Sequence, residues 1–409
     1  MPSVRSFPPL PPASPAPPAR RNPAIVTKSS HEFTISAQSS ATSHPFLEAL
    51  RSFRKGVQWL IYGPVVERFT TRRVEDDPDT RYAPIQKVRE AAGRIEANRE
   101  TETIALEKLG PRAAAYHRLV KTLEGDTMAR DALQTMLLDG RLTDTQDLKN
   151  QGDALSHLTR MNEGLLASGL DRKELLSHVV EEAENPVKIA QEERGTCVAT
   201  TVTVLLATKN PAEYLRLVAD LARPAGTTTT LSGANLTRKY NWASDGDGHR
   251  TPSVRLLQPA LMELGNGFWR YSNDRDIHTL PVGVPENPQT GGVHNLLNWL
   301  GARQILPGGL TAGGANKLLE KLMGQDFQIV NVSRFNRDRA WSRIEAAVSA
   351  GQSVPAGLIW NEGGHEVLIE GIRDDRVYYT NPWGQDESMA VGEFKQNLSS
   401  ANLLRAASD

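Results

Sequence analysis

GLIWNEGGHEVLIEGIRDDRVYYTNPWGQ, residues 357–385, is the stretch that decides how this chain folds. Two strand-like runs, His365 to Ile372 and Arg376 to Thr380, flank Asp374-Asp375, a pair suited to a tight turn. The expectation is an antiparallel hairpin. Two earlier runs, Phe327 to Val332 and Val354 to Trp360, extend it into an antiparallel sheet. Paired strands joined by a short turn bring His365 and Asn381, sixteen residues apart (381 − 365), side by side. The Asn381 amide oxygen would then accept the imidazole N–H and fix its tautomer, with Trp383 shielding the bond from water. Asp374 and Asp375 are alternative orienters, less favourably placed at the turn. The bland alternative for His365 is a strand histidine satisfied by the backbone.

Upstream, QEERGTCVATTVTVLL covers residues 191–206. Gly195-Thr196 is a break and a cap, and the apolar run after it has helix length, ending near Lys209-Asn210-Pro211. Cys197 falls in the first helical turn, where unpaired N–H groups and the positive end of the dipole lower a thiol's pKa. It is the only cysteine. That excludes an intramolecular disulfide framework and a multi-cysteine zinc site, and it suits a reducing compartment. The choice is between a nucleophile and a small buried hydrophobe. Gln191, six residues earlier (197 − 191), is either an oxyanion donor, acting with the Cys197 backbone N–H, or a solvated cap residue.

These segments resemble the papain-like cysteine peptidases, including the calpain and bacteriocin-processing branches. Gln191 with Gly195-Thr196-Cys197 is similar to that clan's helix start. Gly364-His365 is similar to its Gly-His strand start. Asn381-Pro382-Trp383-Gly384 is most similar to the corresponding calpain segment. The resemblance covers about residues 186–395. It implies an α+β catalytic domain, a central helix packed on an antiparallel sheet, with Cys197 as nucleophile, His365 as base, Asn381 as orienter and Gln191 as oxyanion donor. It departs at Val198, where papain and calpain carry tryptophan. His365 also lies 168 residues after Cys197 (365 − 197), so an insertion is needed, and residues 226–310 are its obvious place. The implied activity is hydrolysis of a peptide or isopeptide bond. Glutamine deamidase or transglutaminase chemistry with the same triad, and a catalytically degenerate binding scaffold, are the alternatives.

The remaining chain sets the context. Residues 1–45 are Pro- and Ser-rich with no acid before Glu32 and read as a disordered leader. They lack the apolar core of a cleaved signal peptide, which is compatible with a bacterial effector or toxin exported without one. Residues 46–185 read as a helical regulatory or partner-binding region, and residues 186–409 as the hydrolase domain. Within the former, residues 46–62 form an amphipathic helix candidate and residues 84–185 are helical throughout, with one helix over 145–168. The 47 basic and 48 acidic residues give a net charge of −1, which argues against nucleic acid as a partner. A protein or peptide substrate is expected instead. No apolar stretch reaches membrane-spanning length. No cofactor is implied. Asp245-Gly246-Asp247-Gly248 starts like a cation loop, but its twelfth position is Leu256. His249, His278 and His294 lack zinc-motif spacing, and His117, His157 and His178 are isolated. Trp269, Tyr271 and Trp299 read as buried core rather than as a groove lining.

Overall fold

A computed structural model of the chain describes residues 68–69, 83–239, 249–266, 270–273, 276–279, 305–307, 309–360 and 363–405. The readings for residues 1–45 and 46–62, for Asp245 and Asp247, and for Trp269, His294 and Trp299 fall outside them. The described chain is α+β, a helical region followed by an antiparallel sheet.

After a two-residue strand, β1 (Arg68–Phe69), come six helices: α1 (Ala83–Ala97), α2 (Arg99–Leu109), α3 (Ala113–Thr122), α4 (Thr127–Leu138), α5 (Ala154–Glu163) and α6 (Arg172–Glu184). Aspartate side chains start three of them. Asp126, Asp153 and Asp171 accept from the backbone N–H groups of Ala129, Ser156 and Glu174, which satisfies donors a helix start leaves unpaired.

The single helix expected over 145–168 is replaced by a loop, α5 and a second loop. The Asp147 carboxylate accepts from the backbone N–H groups of Lys149, Asn150 and Gly152 at 2.8, 2.5 and 2.7 Å, and bonds His157 Nε2 at 2.9 Å. A short acidic side chain that captures neighbouring N–H groups competes directly with helical pairing. Apolar periodicity does not register that competition.

Next come α7 (Cys197–Lys209), α8 (Pro211–Ala222), a small hairpin of β2 (Thr227–Thr229) and β3 (Asn235–Thr237), and α9 (Pro252–Gly265). Strands β4 (Arg270–Ser272), β5 (Ile277–Thr279) and β6 (Ile305–Pro307) form a separate three-stranded sheet. The chain ends with α10 (Ala312–Met323), β7 (Phe327–Asn331), α11 (Arg337–Ser349), β8 (Val354–Trp360), β9 (Gly363–Arg373), β10 (Arg376–Asn381), β11 (Gln385–Ala390), α12 (Val391–Asn397) and β12 (Leu398–Leu404). The main sheet runs β11-β10-β9-β8-β12-β7 with every neighbouring pair antiparallel, and β1 joins β9 in parallel. The β9–β10 hairpin closes at Arg373 opposite Arg376, with Asp374 and Asp375 at φ of +52° and +55°, the left-handed pair of a two-residue turn. Both aspartates are thereby committed to the turn.

Two apolar cores cover the faces of this sheet. Period-two alternation sends Leu368 to one face, where it joins Cys197, Val202 and Leu205 of α7. It sends Val367 and Ile369 to the other, where they pack with Trp341, Ile344, Tyr379 and Phe394. The first core runs without interruption through Leu133, Leu176 and Val180 of the helical region into Leu215 and Leu261. Composition changes at residue 186, and this core does not. Glu182 of α6 is buried and accepts from Tyr214 at 2.6 Å, from Thr251 at 2.5 Å and from Ser253, linking three helices across that position.

Candidate functional site

Pro382 ends the pairing of β10 with β9, because proline has no N–H to donate. The register between them stops at Leu368 opposite Thr380. Farther back, β1 takes up pairing only at Gly363 and Gly364. Residues 365–367 therefore border neither β1 nor β10, and the mouth of α7 meets β9 there. The backbone N–H groups of Glu366, in the peptide that joins it to His365, and of Val198 both act to lower the pKa of the Cys197 thiol. Thr201, one turn into α7, donates to the Glu366 carbonyl at 3.3 Å.

His365 Nε2 lies 2.9 Å from Asn381 Oδ1. The orientation of that amide follows from its other partners. Asn381 Nδ2 donates to Glu387 Oε1 at 3.0 Å, and the Trp383 backbone N–H donates to Oδ1 at 3.3 Å. A carboxylate only accepts and a backbone N–H only donates, so Oδ1 must face the imidazole. Nε2 then carries the hydrogen, and Nδ1 holds the lone pair. The Trp383 ring stacks on the imidazole with centroids 4.6 Å apart and planes 30° apart. The structure thus places His365, Asn381 and Trp383 in contact. Burial pushes the imidazole down to about 4, against the Asn381 bond, so it is neutral at pH 7.

Gln191 arrives by another route. Its backbone N–H donates to Pro382 O at 2.8 Å, while its side-chain Nε2 donates to Arg194 O at 2.7 Å. The amide expected to hold an oxyanion thus spends one hydrogen bracing its own turn. Gly384 completes the lock. It sits at φ +82°, and a Cβ there would come within 3.3 Å of the Ala190 side chain, so the turn after Asn381 packs on the residue before Gln191.

For the thiol, the structure corrects the sequence expectation. A helix start was expected to lower the Cys197 pKa. Instead burial, with a contribution from the Glu366 carboxylate, pushes it up to about 12, outweighing the N–H groups of Glu366 and Val198. Cys197 and Asn381 are fully buried and His365 is 2% exposed. In this closed arrangement the proton belongs on sulfur.

Three groups that hold the Cys197 turn were not legible beforehand. Thr196 occupies the cap position, but its hydroxyl donates to Gln258 Oε1 at 2.7 Å rather than capping α7, and Gln258 Nε2 donates to Thr200 Oγ1 at 2.6 Å. Gly195 N–H donates to Asp276 Oδ2 at 2.7 Å, and Tyr271 OH donates to Asp276 Oδ1 at 2.7 Å. Gln258, Tyr271 and Asp276 all lie within the segment read as an insertion. Nothing in their local pattern marks them as facing a cysteine 60 to 80 residues earlier. Tyr271 is buried and packs on His278, whose Nε2 lies 3.0 Å from Gly309 O; both are core residues. His249 is exposed. Among the described residues no group of three or more His, Cys, Asp or Glu is placed to hold a metal ion, and no helix is long and apolar enough to cross a membrane.

Glu366 is the other unforeseen group. Its side chain lies on the α7 face, 4% exposed, and its Oε1 has no hydrogen-bond partner among the described residues. Burial pushes its carboxyl from 4.5 up to about 8. Between those values the unfolded chain has lost a proton that the folded chain keeps, so Glu366 lowers stability as pH rises through that window. Glu366→Gln should therefore gain melting temperature relative to the parent at pH 8.5 and gain less at pH 5. An equal difference at the two pH values would refute this.

Comparison with known proteins finds no matching family model, and no curated protein matches the chain significantly.

Proposed function

We propose that the chain is a papain-like thiol hydrolase that cleaves an amide bond through Cys197, His365 and Asn381. His365 Nδ1 takes the Cys197 proton as sulfur attacks the carbonyl carbon, and Asn381 keeps the imidazole in the tautomer that permits it. The C–N bond breaks, the imidazole returns its proton to the leaving amine, and water hydrolyses the thioester. The observation that supports this reading is the His365–Asn381–Trp383 assembly, on a strand whose Glu366 N–H acts to lower the pKa of the Cys197 thiol. A helix-start cysteine, a strand-start histidine and an amide orienter in this chain order are what the resemblance implies.

One observation favours a second reading, a binding scaffold that has lost catalysis. The thiol is fully enclosed and held protonated, and Val198 follows it. Purified protein incubated with a peptide library and followed by mass spectrometry separates the readings. Fragment loss that disappears in Cys197→Ala supports hydrolysis. A one-dalton gain instead assigns glutamine deamidation by the same triad. No change in any peptide, together with iodoacetamide labelling of Cys197 no faster than that of a free thiol, would overturn the enzyme reading and leave the scaffold.

A further inference from the structure

We propose that Glu387 is a positioning residue that acts through Asn381 to set the tautomer of His365. Strand β11 lies beside β10 with Glu387 opposite Tyr379 and Gln385 opposite Asn381. Glu387 and Asn381 are therefore diagonal neighbours on the face that also carries Tyr379. The carboxylate is held at both ends. Oε2 accepts from Tyr379 OH at 3.1 Å and Oε1 accepts from Asn381 Nδ2 at 3.0 Å. Tyr379 is itself fixed, buried and packed on Phe394 with ring centroids 5.7 Å apart. Burial and the adjacent carboxylate raise its hydroxyl pKa, so it stays protonated and remains a donor.

A primary amide can turn by 180° about its terminal bond and exchange oxygen for nitrogen. Two contacts oppose that turn at Asn381, and the charged one is Glu387. The other, the Trp383 N–H, is longer at 3.3 Å and neutral. If the amide turned, Nδ2 would donate to His365 Nε2. The imidazole hydrogen would then move to Nδ1, the nitrogen that must accept the thiol proton. Glu387 touches neither sulfur nor substrate. Its effect is to hold the amide in the orientation that leaves Nδ1 basic.

The catalytic consequence rests on the thiol-hydrolase reading, whereas the tautomer does not, and the test uses that difference. The ¹⁵N shifts of the His365 ring, assigned in the full chain by comparison with His365→Gln, report which nitrogen carries hydrogen. The parent should show the Nε2–H form. Glu387→Gln retains an acceptor toward Asn381 and should keep that form. Glu387→Lys offers only donors, so Asn381 should turn and His365 should shift to Nδ1–H. Glu387→Ala, which keeps the proposal testable if the lysine variant does not fold, should give a mixture. With a cleavable peptide, the lysine variant should lose about ten- to a hundredfold in kcat/KM and the glutamine variant should recover it, the usual scale for losing a partner that orients a histidine. An unchanged Nε2–H signal in folded alanine and lysine variants would overturn the proposal. A tautomer shift in a protein whose parent cleaves nothing would uphold the positioning role and sink the hydrolase reading alone.

Discussion

Exchanging His365 for alanine should lower the proposed amide hydrolysis by about 10²–10⁴-fold, the span a positioned general base contributes. The thiol makes the upper part of that range reasonable. At a pKa of about 12, roughly one sulfur in 10⁵ is ionised at pH 7, so attack without a base draws on almost no thiolate. The same numbers distinguish two mechanisms. An imidazole at about 4 and a thiol at about 12 do not form an ion pair in the closed site, so the proposed mechanism requires the proton to move during attack. His365 is competent as a base only when neutral, above its pKa. The acid limb of kcat/KM should accordingly fall near pH 4 rather than near 6.5, and it should vanish in the alanine variant. A limb near 6.5 would mean that the working site is more hydrated than the closed one. Full activity in His365→Ala would remove the histidine from the mechanism.

Arg216→Met should cost about 3–5 kcal/mol of folding stability, the usual result of stripping one partner from a buried charge cluster. The Arg216 side chain is 1% exposed. It donates to both Glu213 oxygens at 2.8 and 2.7 Å, to Asp220 at 3.1 Å, to Thr228 at 3.0 Å and to the Thr229 carbonyl at 2.9 Å, with Asp147 at 3.8 Å. Burial disfavours its charge, but Glu213, Asp220 and Asp147 outweigh that and hold its pKa up. Methionine fills a similar volume and leaves the carboxylates facing one another. Urea denaturation should show the midpoint falling with little change in slope. Adding Glu213→Gln should recover part of the loss, since it removes one of the fully enclosed charges. A single-variant change below about 1 kcal/mol would show that water reaches this cluster.

The sequence carried the sheet and the histidine's partner because both rest on local rules. The Asp374-Asp375 pair can take the left-handed turn, and period-two alternation then fixes which residues share a face with His365 and Asn381. Helix starts rest on a similarly local rule, since Asp126, Asp171 and Thr251 accept from the N–H three residues ahead. What was hidden is non-local. The braces of Gly195 and Thr196 come from Asp276 and Gln258, 81 and 62 residues away. The acidity of Cys197 failed to follow its helix position because solvent exclusion, which no local pattern encodes, dominated it. Glu387 carried a weak signal, six residues past Asn381 on the returning strand, and could be recognised only once the turn at Gly384 set its register.

The core that passes residue 186 unbroken bears on how the chain comes apart. Leu176 and Val180 belong to the same core as Cys197, and Glu182 bonds Tyr214 of α8 and Thr251 and Ser253 at the start of α9, so the amino-terminal helices and the layer holding Cys197 should behave as a single cooperative unit on denaturation. A chain shortened to residues 186–409 would expose that apolar seam. Its unfolding transition should be broader than that of the full chain. On that expectation the helices before residue 186 share one cooperative unit with the core around Cys197.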